Sequence, residues 1–177
     1  MKKKHIFTLA LSGILCAEAI ALSFIEGLLP AIPFLPPGAK PGLSNIVTMF
    51  AASCIGLPEA LLITLIKSLF VFVTRGAVAA AMSFSGGLLS TLAMYFLFRY
   101  AKNIFGIAGI SVIGAFCHNA GQLITSVIIS GSSKTLYYAP FLAGFSVVTG
   151  ILTGIIFKAI YPALEKQKKY LLRNNQI

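Results

Sequence analysis

Along the chain, apolar residues run together in blocks too long to be one face of a soluble helix, and polar residues collect in the gaps. The blocks fall at residues 6–29, 41–57, 58–75, 78–98, 108–131 and 138–161. A helix needs roughly 20 apolar residues, within a range of about 17–25, to cross the hydrocarbon core of a bilayer. The pattern therefore predicts an all-α integral membrane protein, a bundle of six transmembrane helices over residues 1–162, with a tail over 163–177. The second and third blocks are short and are divided only by Gly56-Leu57-Pro58-Glu59, so one long bent segment competes with two helices. Between the first and second blocks stand Pro30, Pro33, Pro36 and Pro37, four prolines in eight positions. They cannot continue a helix, because each lacks an amide donor and clashes with the preceding turn. The stretch Lys40-Pro41-Gly42-Leu43-Ser44-Asn45 follows and opens the second block. A charged, proline-fixed entry of this kind is either a plain turn at the membrane surface or the lip of a binding site.

Composition agrees with the pattern. The chain of 177 residues is 58% hydrophobic and 10% charged, whereas soluble domains carry about 25% charged residues. Its net charge of +10 would point to a nucleic-acid partner in a soluble protein. Here the basic residues sit mostly between and beyond the apolar blocks, and no nucleic-acid-binding motif occurs. They report orientation instead, since cytoplasmic loops carry the excess of Lys and Arg. With six spans and the N-terminus inside, the inner side receives Lys2, Lys3, Lys4, Arg99, Lys102, Lys158, Lys166, Lys168, Lys169 and Arg173. The outer side receives Lys40, Arg75 and Lys134, and Lys67 is left within a helix. Both termini are thus expected on the cytoplasmic side of the cell membrane, with the basic tail solvated or lying on anionic lipid. The start, Met1-Lys2-Lys3-Lys4 and an apolar run, has the look of a signal peptide, but the run is too long for one and contains Glu18 and Glu26. It reads as a transmembrane helix. Cys16, Cys54 and Cys117 lie inside apolar blocks without CxxC spacing, and read as packing residues rather than a disulfide frame or metal site.

The chain contains no aspartate, and its glutamates are Glu18, Glu26, Glu59 and Glu165. Magnesium-assisted diphosphate chemistry needs clustered hard oxygen ligands, and none of these carboxylates is closer than eight positions to another. No phosphate-binding loop, nucleophile elbow or zinc-protease motif occurs either. The sequence argues against an enzyme, and no metal or cofactor is expected. Ionisable groups inside spans are costly and mark either function or mutual neutralisation. Glu18 and Glu26 are eight apart on the first helix, and Lys67 and Arg75 eight apart on the third, about 12 Å in each case. Matching depths suggest two ion pairs, Glu18 with Lys67 and Glu26 with Arg75. On the fifth block His118, Asn119 and Gln122 occupy about one helical turn, either as interhelical hydrogen-bonding groups or as a substrate-lining turn. Ser83-Phe84-Ser85-Gly86-Gly87 either unwinds the fourth helix around a ligand or lets a neighbour pack closely. Gly13, Ala17 and Ala21 form a small-residue stripe on the first helix, and Gly144, Gly150 and Gly154 are spread along the last. Gly42-Leu43-Ser44 and Gly109-Ile110-Ser111 open the second and fifth blocks, which hints at an inverted repeat of three plus three helices.

Several of these stretches together resemble a known family. Glu26 with Leu29-Pro30, Lys40 to Asn45, Phe84-Ser85-Gly86-Gly87-Leu88, and Ser111, Gly114, His118-Asn119 and Gly121-Gln122 resemble the bacterial Gx transporters, also called heptaprenyl diphosphate synthase component I. That family is similar in architecture to the S components of energy-coupling-factor vitamin transporters. The resemblance implies an S-component-like six-helix bundle that captures a scarce solute, vitamin-like or an isoprenoid or quinone precursor, from outside. It also implies an energy-coupling membrane subunit and ATPases as partners, with Gly13, Ala17 and Ala21 as a docking face. The synthase label implies at most a non-catalytic accessory role in heptaprenyl diphosphate or menaquinone biosynthesis, since the aspartate-rich motifs of prenyl elongation are missing. With the resemblance, the candidate solute-binding residues are Glu26, Lys40, Asn45, Arg75, Ser83, Ser85, His118, Asn119 and Gln122.

Overall fold

A computed structural model of the chain describes residues 2–30, 40 and 42–174, with side chains from residue 8 to residue 162. Most of the proline-rich stretch, together with Pro41 and the side chains of the basic tail, lies outside the described residues. Among those described, six α-helices follow one another: α1 Lys2–Leu28, α2 Asn45–Cys54, α3 Leu57–Arg75, α4 Ala77–Tyr100, α5 Lys102–Ser130 and α6 Ala139–Asn174. A short 3-10 helix, Ser133–Tyr138, joins α5 to α6. The all-α expectation holds.

Five of these helices are long and apolar enough to cross a membrane, and α2, at ten residues, is not. At 1.5 Å per residue it rises only about 15 Å, half a hydrocarbon core. Residues 42–44 contribute a turn rather than a helix: the N–H of Asn45 donates to Gly42 O at 2.9 Å and that of Ile46 to Leu43 O at 3.0 Å. Gly42 has φ +80, a left-handed conformation that a side chain would strain. The helix itself is buried almost all round, at Asn45 and from Val47 to Ala52, as expected of an apolar helix inside a bundle. A break at Ile55-Gly56, with Pro58 in the first turn of α3, makes α2 and α3 two helices and not one bent segment.

Direction is read from what touches what. Glu26 near the end of α1 and Arg75 at the end of α3 line the same cavity, so these helices run parallel. Lys102 at the start of α5 reaches Tyr161 near the end of the described part of α6, at 3.1 Å, and Phe98 in α4 packs on Phe157 in α6. The N-terminal end of α1 and the Tyr161 end of α6 therefore lie together, opposite the cavity.

Small residues set the packing distances. A Cβ on Gly121 of α5 would stand 2.8 Å from Gly86 Cα in α4, and one on Gly150 of α6 would stand 2.5 Å from Val112 Cα in α5. Helices in lipid gain stability from such close approach, because lipid tails are as apolar as leucine. Hydroxyl pairs add buried ties: Thr64 with Thr91 at 3.0 Å, and Ser111 with Thr153 at 2.7 Å. The fourth helix is continuous through Ser83–Gly87, so its glycines serve close packing and not an unwound segment. The apolar core, around Leu15, Phe50, Ile63, Met94, Ile110 and Phe157, fills the bundle on the side away from the cavity.

Candidate functional site

Four helices, α1, α3, α4 and α5, converge with the segment before α2 at one end of the bundle around a polar cavity of about 20 Å³, room for roughly one water. Its charged lining is Glu26 from α1, Lys40 from the segment before α2, and Lys67 and Arg75 from α3. Ser83 of α4 and His118 and Gln122 of α5 complete the polar wall. Lys67, Val71 and Arg75 all line it, four residues apart on one face of α3, so the cavity follows that face for about 12 Å.

Glu26 is 4% exposed, and its contacts explain why α2 starts where it does. The Leu43 N–H donates to Glu26 Oε1, and the Ser44 hydroxyl donates to Oε2 at 3.2 Å. Ser44 precedes α2 yet does not cap it with its own side chain. A carboxylate from another helix sits there instead, where the positive end of the α2 dipole favours it. Lys67 is 2% exposed and donates to Asn45 Oδ1 at 2.8 Å. Glu26 lies within Coulombic reach of Lys67, Arg75 and Lys40.

Gln122 fastens the entrance. Its Oε1 accepts from the Lys40 N–H at 3.2 Å, and its Nε2 donates to the Lys40 carbonyl at 3.3 Å. Those two backbone groups fix the amide orientation, so Nε2 also donates to His118 Nε2, 2.5 Å away. The proton of the neutral imidazole then belongs on Nδ1, which is buried against the Gly86 backbone without a well-formed hydrogen bond. The Lys40 side chain turns back to donate to the Leu29 carbonyl at 2.5 Å, a cation at a helix C-terminus. Partial burial, and then the charge of Arg75, hold its ammonium below the ordinary lysine pKa.

Of the nine candidate residues, six line this cavity: Glu26, Lys40, Arg75, Ser83, His118 and Gln122. Asn45 meets it through Lys67 and lines a neighbouring crevice with Gly42 and Met49. Ser85 and Asn119 point elsewhere. Ser85 donates to Gly121 O at 3.1 Å and accepts from Thr125 at 2.6 Å, while Asn119 donates to Ser146 of α6 at 2.8 Å. Both serve helix packing. The Glu18–Lys67 pairing is not the arrangement found, because Glu18 is exposed and Lys67 faces Asn45 and Glu26. Depth along two helices matched, but the faces did not. Ser44, from the Lys40–Asn45 stretch, and Ser23 also line the cavity; Ser23 lies three residues before Glu26 on the same helix face, which is the signal that sequence offers for it. Gly13, Ala17 and Ala21 are exposed on the outside of the bundle, with no side chain or backbone within 4 Å of a Cβ placed on Gly13. Among the described residues, no three His, Cys, Asp or Glu side chains gather as a metal site would require.

The family model for heptaprenyl diphosphate synthase component I matches residues 15–160. The chain belongs to that family. The chain also shares its fold with a solved S component of a bacterial ECF transporter, whose structure superposes with a TM-score of 0.65 at 22% identity. The match covers 94% of this chain and 98% of that one, so the likeness is of the whole bundle, as the motifs implied. No curated protein matches the component I sequence.

Proposed function

We propose that this protein is the solute-binding subunit of a membrane transporter, capturing a small molecule at the outer face of the cell membrane. The observation that carries the reading is the polar cavity. A bundle of this length has no structural need to bury Glu26, Lys67, His118 and Gln122 together at one end, since intramembrane ionisable groups are costly. The shared fold with a transporter S component supports the same reading. The Lys and Arg distribution supports an outward-facing cavity, with both termini cytoplasmic.

The chain carries no nucleotide-binding module, so uptake requires partners: an energy-coupling membrane subunit and ATPases. The exposed Gly13, Ala17 and Ala21 stripe supports α1 as their docking face, because small residues let a second helix approach closely. The candidate solute-contacting residues are Glu26, Lys40, Asn45, Arg75, Ser83, His118 and Gln122. With no aspartate and four dispersed glutamates, the reading is of a binding protein and not an enzyme. A second reading, an accessory membrane subunit of heptaprenyl diphosphate synthesis, is favoured by the family description alone.

Mild-detergent purification of the tagged chain from bacterial membranes tests both. The transporter reading expects a co-purifying coupling subunit with ATPases, and a small molecule released on denaturation and seen by mass spectrometry. Recovery of a soluble prenyl synthase, with no released small molecule, would favour the accessory role.

A further inference from the structure

The charges around the cavity do not balance within the chain. Three cationic side chains, Lys40, Lys67 and Arg75, share its wall with a single carboxylate, Glu26. Glu26 accepts from two neutral donors as well, the Leu43 N–H and the Ser44 hydroxyl. The remaining acidic residues cannot make up the difference. Glu18 is exposed on α1, Glu59 sits in the first turn of α3, about 12 Å from Lys67 along the helix axis, and Glu165 lies in α6 beyond Tyr161, at the end opposite the cavity. At the deep end, the Lys67 ammonium is fully enclosed and has three donors, of which one goes to Asn45 Oδ1. Lys40 and Arg75 are partly exposed, but Lys67 is enclosed, and a buried ammonium with donors to spare is costly unless an anion accompanies it.

We infer that the cavity takes a small organic anion, with its carboxylate or phosphate on Lys67 and its body along Val71 and Ala79 toward Arg75. The inference rests on the cavity being the solute site proposed above. Val71 and Ala79 supply the apolar strip between the two cations. Asn45 and His118 stand near the deep end with groups that orient a polar head without adding charge. A volume of about 20 Å³ is far below that of typical ligand pockets, about 300–1,000 Å³, so binding widens the cavity as the anion enters.

Thermal unfolding of the full-length protein in detergent tests the charge requirement directly. The probes are inorganic phosphate, and benzoate against benzamide, each compared with chloride at matched ionic strength. Phosphate or benzoate is expected to raise the unfolding midpoint by about 3 °C at saturating concentration, while benzamide does not. Lys67→Gln should abolish the rise; Lys67→Arg, which keeps the charge, should retain part of it, and Ser85→Ala, away from the cavity, all of it. Either of two results overturns the inference: no anion-specific rise in the wild type, or the same rise in Lys67→Gln. The outcome separates from the transport reading. A neutral or cationic solute co-purifying with the protein would end the anion inference and leave transport standing. Anion protection through Lys67, without solute or coupling partners in the purified complex, would do the reverse.

Discussion

Asn45 holds the one hydrogen bond that the Lys67 ammonium makes among the described residues, which gives its replacements opposite signs. Asn45→Leu strands a buried charge and should cost about 1–3 kcal/mol, the penalty of an unsatisfied buried polar group. Asn45→Asp instead supplies a counter-charge, so the protein should unfold at or above the wild-type temperature. The same carboxylate would cancel the attraction for an anion, and the phosphate-induced rise should vanish. Comparing midpoints with and without phosphate for both variants checks the pair. An Asn45→Asp protein that keeps the full phosphate response would remove Lys67 as the anchor. The stretch from Lys40 to Asn45, ambiguous in sequence between a surface turn and a binding lip, combines a turn with residues of the cavity wall. Gly42 makes the turn, and Ser44 and Lys40 reach the cavity wall.

Among the helices, the glycines divide into two kinds that sequence does not distinguish. Gly121 meets the α4 backbone, whereas Gly144 has nothing within 4 Å of an added Cβ. Gly121→Ala should therefore destabilise by about 1–3 kcal/mol, the usual cost of overpacking, and Gly144→Ala should leave the midpoint unchanged; thermal unfolding reads both. The stripe on α1 belongs with Gly144 in stability terms. Gly13→Leu and Ala17→Leu meet open space, so the isolated protein should unfold as wild type. In mild-detergent pull-downs, the same changes should reduce recovery of the coupling subunit several-fold. Undiminished recovery would leave α1 facing only lipid. The periodicity of α1 explains why Glu18 does not meet Lys67. Its buried positions Ser12, Leu15, Ala19, Ser23 and Glu26 follow steps of three and four, and Glu18 falls outside that series. Counting residues gave depth, but only the helical face says which side chains can meet.

At the scale of the molecule, the bundle and the end that carries the site were legible because lipid imposes simple rules on a sequence. Long apolar blocks mark the spans, and costly polar groups such as Glu26, Arg75 and His118 stand out against them. The short α2 was not legible, because residues 41–57 are as apolar as a span. The burial of Asn45 and of Val47 to Ala52 inside the bundle imposes the same composition as burial in lipid. Nor could block lengths reveal that Lys67 joins the cavity, since its partner Asn45 comes from that short helix. Membrane orientation, by contrast, rests on the Lys and Arg count and has a direct test. Lys134 lies in the 3-10 helix after α5, on the cavity side of the bundle, and Lys102 at the start of α5, on the other. Both side chains are exposed. In a background with Cys16, Cys54 and Cys117 replaced by alanine, Lys134→Cys should react with a membrane-impermeant maleimide on intact cells. Lys102→Cys should react only after the membrane is permeabilised. The reverse pattern would turn the cavity toward the cytoplasm, and capture from outside would no longer describe the protein. With the expected pattern, the three cations of the cavity face the compartment from which a scarce anion has to be drawn.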